Sequence, residues 1–184
     1  DAAYSTVNWT DKDAVSTFGN NEGECVVLDS RTTAIPDPNY EQALIDLGYD
    51  TTIDGFVSTA IIEAITSLSM YNKNITDLTG IADFTALTEL SCIANQLTSL
   101  DVSTNTALTS LNCRDNQLTS LDVSNATALT NLNCSANQLT SLDVRNGNNA
   151  SFVSFDSTDN LLACIFVDDA AYSTVNWPSK DAVS

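Results

Sequence analysis

Residues 87–146 repeat one pattern three times, and no other feature constrains the fold so strongly. TALTELSCIANQLTSLDVSTN is followed by TALTSLNCRDNQLTSLDVSNA and then TALTNLNCSANQLTSLDVRNG, a period of 21 residues. Leu87, Leu108 and Leu129 open the units, Cys92, Cys113 and Cys134 mark their middles, and Asn95, Asn116 and Asn137 follow. Leu90 and Cys92 alternate with Glu89, Ser91 and Ile93, which predicts a short strand with two apolar groups inward and three side chains outward. Each Asn is expected to turn inside and bond the backbone of adjoining coils, in a ladder continued by Asn160. A second extended run, Ser99 to Ser103, sends Leu100 and Val102 inward and closes the coil. One such coil cannot bury both of its faces alone, so the units must stack.

The pattern extends in both directions. A first coil starts at Ile65, with Leu68, Met70, Ile75, Leu78 and Ile81 inward and Lys73 at the ladder position, so the ladder should begin imperfectly. A degenerate last coil runs through Phe152, Phe155, Ser157, Asn160, Leu162, Ile165 and Val167, giving five coils over residues 65–168. Ahead of them, Asp37 as N-cap, Pro38 in the first turn, and Tyr40, Ala43, Leu44 and Leu47 on one face predict an amphipathic helix over 38–47. Gly48 ends it. Residues 33–64 therefore read as an N-terminal helical cap. Residues 169–184, DAAYSTVNWPSKDAVS, match residues 1–16 at 14 of 16 positions, an offset of 168. Solenoids need end caps, and Tyr172, Val175 and Trp177 offer apolar cover. The expectation is a truncated C-terminal cap at 169–184, a copy of it plus a linker at 1–32, and tandem modules in a longer protein.

Charge narrows the partners. Twenty-four acidic residues against six basic ones and no His leave a net charge of −18. Phosphate backbones are bound by clustered Lys and Arg, so nucleic acid is excluded, and anionic membranes are disfavoured. No apolar run is long enough to span a bilayer, and no secretory leader is recognisable. Without His, with most Cys expected in the core and no nucleophile beside a base, the sequence argues against an enzyme. Nor do the cysteines read as a zinc site, since no C-x-x-C pair occurs. Neighbouring coils would place Cys92, Cys113 and Cys134 about 4.8 Å apart. Parallel side chains in register seldom bridge, so these three are expected to be buried free thiols.

Written as a template the units give L-x-x-L-x-C-x-x-N-Q-L-T-S-L-D-V, close to the leucine-rich repeat signature. With the helical opening PDPNYEQALIDLGYD and the transition ITDLTGIADFTALTEL, residues 33–168 resemble the leucine-rich repeat modules of secreted bacterial surface proteins, the internalin-like group. The resemblance implies an α/β leucine-rich repeat solenoid with short parallel strands, an N-terminal helical cap and a C-terminal cap. It implies a secreted or cell-surface setting and adhesion or recognition through the concave strand face. Cys at the third apolar position departs from the Leu usual in that group.

Outward strand positions vary where inward ones repeat. One column reads Tyr71, Ile93, Arg114, Ser135, Thr158, and the one before it Ser69, Ser91, Asn112, Asn133, Asp156. Tyr71, Ile93 and Arg114, with Asn112, Asn133 and Asp156, are the candidate binding residues for a protein or glycan. Asp101, Asp122 and Asp143 recur at one outward position, where stacked carboxylates repel. Backbone N–H groups, the hydroxyls of Thr98, Thr119 and Thr140, or a calcium ion must offset them. Calcium is the one cofactor candidate; none other is implied. Cys25 and Cys164 lie off the cysteine row and are the disulfide candidates. Cys25 lies 24 residues after Asp1, the counterpart of Asp169, so the cap partner expected for Cys164 would fall beyond Ser184. Either both thiols are free, or Cys25 of one molecule reaches Cys164 of the next, head to tail. Competing with recognition are a structural spacer in a tandem array, for which the repeat offset speaks, and a calcium-stabilised accessory to a larger secreted protein.

Overall fold

The structure is a computed structural model and describes residues 14–16, 27–29 and 31–171. Its centre is a five-stranded parallel sheet with one strand from each coil: β5 (Ser67–Ser69), β6 (Glu89–Ser91), β7 (Ser110–Asn112), β8 (Asn131–Asn133) and β10 (Ser154–Asp156). The register is in phase throughout: Leu68, Leu90, Leu111, Leu132 and Phe155 stand side by side, all pointing into the core. On the opposite wall the extended runs pair more sparsely. Asp101, Asp122 and Asp143 form parallel bridges, and β9 (Ser141–Asp143) pairs with β11 (Cys164–Phe166). The two walls enclose one continuous apolar cluster that reaches from Ile35 to Leu162.

Two ladders, one of Asn and one of Cys, run through this core. The Asn116 amide donates to the carbonyls of Cys92 (2.9 Å), Cys113 (3.0 Å) and Arg114 (3.2 Å), while its oxygen accepts from the Leu97 amide at 3.1 Å. Asn95 and Asn137 repeat the arrangement. The ladder does begin imperfectly: Lys73 turns outward to Asp46, 2.7 Å away, and contributes only its backbone N–H to Asn95. In the second ladder, Cys92, Cys113 and Cys134 are buried and form no disulfide, and their sulfurs lie 3.6–3.7 Å from carbonyls of the next coil. Burial pushes the Cys92 thiol up to about 12 and that of Cys113 well above its usual value. They remain protonated at neutral pH and act as small hydrophobes.

The residue before each ladder Asn takes a left-handed conformation, with φ of 56° at Ala94, 56° at Asp115, 51° at Ala136 and 57° at Asp159. Their N–H groups reach the next coil, as from Ala94 to Arg114 O and Ala136 to Thr158 O. An L-residue with a bare Cβ pays about 1–2 kcal/mol there, and Asn relieves part of it by local bonding. Ala136→Asn should therefore raise stability by about 0.5–1 kcal/mol, a gain of about 1–4 °C in Tm. The larger Asp115 side chain already fits the same place one coil earlier. Thermal unfolding of the variant beside the wild type measures it.

At the N-terminal end β3 (Thr32–Ala34) pairs antiparallel with β4 (Phe56–Ser58), between them α1 (Pro38–Asp46) packs on the first coil, and α2 (Thr59–Ile62) follows. α1 stops one residue short of the sequence expectation. Leu47 caps it and is 43% exposed instead of lying on the buried face. The end is a Schellman turn: Gly48 takes φ 82° and the Tyr49 N–H bonds Leu44 O at 2.9 Å. Glu41 is buried in its place, one carboxylate oxygen accepting from the amides of Asp54, Gly55 and Phe56 at 2.7–3.1 Å. Gly80 (φ 99°) lies where β3 meets the first coil. A Cβ there would stand 2.6 Å from Ala34 O and from Ile35 Cδ1, so the chain approaches this closely only with Gly. Further upstream, β1 (Ala14–Ser16) and β2 (Val27–Asp29) pair antiparallel. Of the C-terminal cap expected at 169–184, residues 172–184 lie outside the described residues, as does Cys25.

Candidate functional site

The face of the central sheet turned away from the core carries every predicted binding residue. Strand register puts Ser69, Ser91, Asn112, Asn133 and Asp156 in one row. Tyr71, Ile93 and Arg114 fall one row further on, as the bonds from Asn72 N to Ile93 O and from Ala94 N to Arg114 O show. Tyr71 is 63% exposed, Arg114 is exposed and Ile93 half-buried.

Within these rows Asn112, Asn133 and Asp156 each commit one side-chain oxygen to a local turn. The Asn112 oxygen accepts from the Arg114 amide at 3.3 Å, and that of Asn133 from the Ser135 amide (3.0 Å) and hydroxyl (2.7 Å). Asp156 accepts from the Thr158 amide (3.1 Å) and hydroxyl (2.8 Å) with one oxygen. These short turns hold the side chains upright. They leave the amide NH2 groups of Asn112 and Asn133 and the second oxygen of Asp156 facing outward. Ser135 and Thr158, which the sequence placed in the outward column, serve to close these turns; Ser135 is buried. A third row on the same face, Ser67, Glu89, Ser110, Asn131 and Ser154, was represented in the sequence reading only by the outward Glu89 and was not among the binding candidates. Strand alternation would have found it, since these residues lie two before the middle row.

The Asp101, Asp122 and Asp143 column lies on the other wall. Each carboxylate accepts from the amide two residues on: Ser103 at 2.9 Å, Ser124 at 2.9 Å and Arg145 at 3.0 Å. The hydroxyls of Thr98, Thr119 and Thr140 are not their partners. Hydrogen bonding to Ser103 holds Asp101 below the usual carboxylate range, and the Arg145 side chain does the same for Asp143. Arg145 grips Asp143 at 2.9 and 2.6 Å and rests over the Phe166 ring, 5.2 Å from its centre. Among the described residues no three His, Cys, Asp or Glu side chains gather in a way that could hold a metal ion. A groove of about 270 Å³ runs beside the column, between Asp77 to Ala82 and Ser99 to Thr104. Cys164 is half-buried with a free thiol beside Ser141.

Electrostatically the surface presents acid. Arg31, Lys73, Arg114 and Arg145, the Lys and Arg of the described residues, each pair with a carboxylate: Glu63, Asp46, Asp115 and Asp143. Among these residues no helix is long and apolar enough to cross a membrane.

A parallel-strand solenoid with inward Leu columns and a buried Asn ladder is a leucine-rich repeat protein. Residues 59–160 match the family model of the leucine-rich repeat domain of the endo-beta-N-acetylglucosaminidase EndoS, and the chain belongs to that family. The chain is also similar to internalins, of which it spans only a part. Internalin J of Listeria monocytogenes serotype 4b (strain F2365) is 42% identical over 70 residues, 38% of this chain and 8% of that protein. The solved functional domain of InlJ from Listeria monocytogenes, described as including a cysteine ladder, is similar with a TM-score of 0.67 and 37% identity. That match covers 78% of this chain and 32% of the other. The Cys row that departs from the usual internalin Leu thus has a parallel there. An internalin of the same organism, inlF, shares the fold at a TM-score of 0.56 and 19% identity, over 76% of this chain and 53% of that one.

Proposed function

We propose that the chain is a non-catalytic recognition or adhesion module of a secreted or cell-surface protein, binding a protein or glycan partner through the open sheet face. The observation that carries this reading is the contrast between the two sides of each strand. Inward residues are repeated from coil to coil, whereas the outward rows hold Tyr71, Ile93, Arg114, Asn112, Asn133 and Asp156, with donors and acceptors left unspent. Exposed Tyr and Arg are the side chains that dominate interface energetics. Similarity to internalin J and to the InlJ functional domain supports a surface role.

The test begins with a screen of the isolated chain on glycan arrays and by pull-down from host-cell surfaces. For any ligand found, the combined change Tyr71→Ala, Ile93→Ala and Arg114→Ala should weaken binding at least about 30-fold, the loss of one hot-spot residue. Tm should stay close to that of the wild type, because none of the three is in the core. Unchanged affinity would remove this face from consideration, and no ligand at all would favour a spacer.

A further inference from the structure

The three inner coils show where this chain varies. Over residues 87–102, 108–123 and 129–144 they differ only at the three sheet-face positions and at the turn residue that follows. Gln96, Thr98 and Ser99 on the wall are exposed too. They nevertheless recur unchanged as Gln117, Thr119 and Ser120, and again as Gln138, Thr140 and Ser141. Exposure alone therefore does not decide what changes; a place on the open sheet does.

The chemistry of that variation is narrow. Across all five strands, the rows that begin at Ser67 and Ser69 hold only Ser, Asn, Glu and Asp. Protein interfaces are built the other way, with cores depleted in Ser, Asp and Glu and enriched in aromatic side chains, Met and Arg. Groups of that kind occur here only in the row of Tyr71 and Arg114, and the Arg114 guanidinium is engaged by Asp115 at 2.9 Å. The two polar rows offer both halves of a hydrogen bond. Donors are the outward NH2 groups of Asn112 and Asn133. Acceptors are the Asn131 oxygen, whose NH2 reaches Thr130 at 3.0 Å, the second oxygen of Asp156, and the Glu89 oxygen not taken by Ser67. The hydroxyls of Ser91 and Ser110 can serve as either. A pyranose has the matching duality: each hydroxyl donates and accepts, and the ring keeps an apolar C–H face. Neighbouring strands stand about 4.8 Å apart, so successive units of a linear sugar chain laid across them would each meet a fresh polar side chain. At one end of the sheet Tyr71, 63% exposed, offers a ring to a C–H face. Charge then selects among sugars, since Glu89 and Asp156 on the face and a net charge of −18 repel sulfated or uronic-acid chains.

We propose that the open sheet face takes a neutral linear oligosaccharide, lying across the strands on the Ser, Asn and carboxylate rows with one sugar against Tyr71. This rests on the reading of that face as the recognition surface and names the class of its ligand.

Neutral hexasaccharides of the cellulose, chitin, xylan, mannan and laminarin series, titrated into the 15N-labelled chain, test it beside heparin and hyaluronan hexasaccharides. At least one neutral chain should shift the side-chain amides of Asn112 and Asn133 with a Kd below about 1 mM, and the anionic chains should bind more weakly. Asn112→Asp with Asn133→Asp keeps the oxygens that close the local turns and removes the outward donors. Affinity should fall at least about fivefold, and equally at about 50 mM and about 500 mM salt, because a neutral ligand feels no screening. Tyr71→Ala changes no charge and lies outside the core, so Tm should hold while affinity falls at least about threefold. Silence of every neutral chain at about 10 mM, tighter binding of the anionic chains, or an affinity that survives either variant would overturn the proposal. A ligand from host-cell surfaces that still binds after enzymatic removal of its glycans, and is lost in the Tyr71, Ile93 and Arg114 triple variant, would overturn the sugar and leave the recognition face standing. No ligand of either kind would overturn both.

Discussion

Asn116→Ala is expected to lower the stability of the chain by about 3–5 kcal/mol, a large fraction of what a domain of this size possesses. The side chain is buried and makes four hydrogen bonds to three segments: its own turn, the strand end of the coil before, and Leu97 on the closing run of that coil. Truncation leaves the Leu97 N–H without its partner in the core and takes one donor each from the carbonyls of Cys92 and Cys113, which keep Asn95 and Asn137. The orphaned N–H costs about 1–3 kcal/mol, each lost amide bond about 0.5–1.5, and the gap adds a cavity term. Asn116→Asp should not rescue it, since an oxygen would replace the amide nitrogen opposite two carbonyls. Gln117→Ala, at the exposed neighbour, should change stability by no more than about 0.5 kcal/mol. Urea unfolding of the three variants measures this. Because coils contact only their neighbours, a broadened transition in Asn116→Ala would show the stack separating on either side of the weakened coil. A loss under about 1 kcal/mol would mean that water replaces the amide, and the ladder would be ornamental to stability.

Much of this was readable from the sequence because the repeat reports the same decision several times. Leu90, Leu111 and Leu132 recur at one phase, so a parallel register in which they stack follows from geometry. Asn95, Asn116 and Asn137 could be placed inside for the same reason. The outward rows were legible as positions, yet their chemistry was not. That Asn112 spends its oxygen on the Arg114 amide and keeps its NH2 outward depends on the chain bending just after the strand. The left-handed φ at Ala94 and Ala136 was equally hidden, since alanine gives no local sign of it. Single positions fared worst. Glu41 lies outside the apolar set Tyr40, Ala43, Leu44 and Leu47 that marks the helix, and only the turn at Asp54 to Phe56, over ten residues away, explains its burial. Ser157 was placed in the last coil's run by the sequence and is buried there, but its position did not show that its hydroxyl would end the column of Met70, Cys92, Cys113 and Cys134 without a partner among the described residues.

Asp37 illustrates a residue whose smaller role was visible and whose larger one was not, and it carries the second expected effect. As an N-cap it accepts from the amides of Asn39 (2.8 Å) and Tyr40 (3.2 Å) with one oxygen, which the sequence predicts. Its other oxygen accepts from the Thr76 amide (2.7 Å), the Thr76 hydroxyl (2.8 Å) and the Asp77 amide (3.0 Å), and so fastens α1 to the first coil. Asp37→Ala should cost about 3–4 kcal/mol: about 1 for the cap, and the remainder for charge-assisted bonds at a site only 5% exposed. Asp37→Asn should keep the cap but lose most of the fastening, because its NH2 would face other donors. Burial alone would raise the Asp37 carboxyl, but the bonds from Thr76, Asn39 and Asp77 outweigh it and hold the group below its usual value of 3.8. A group depressed in the folded state contributes stability that is fully present above the unfolded value and lost as pH falls through the folded one. The stability gap between wild type and Asp37→Ala should therefore be constant from neutral pH down to about 5 and narrow below about 4, where protonation removes what the substitution removes. Guanidinium unfolding of both proteins at neutral pH and near pH 3 decides it. A gap that stays the same at the acidic point would show that the bonds to Thr76 and Asp77 do not depend on the carboxylate charge.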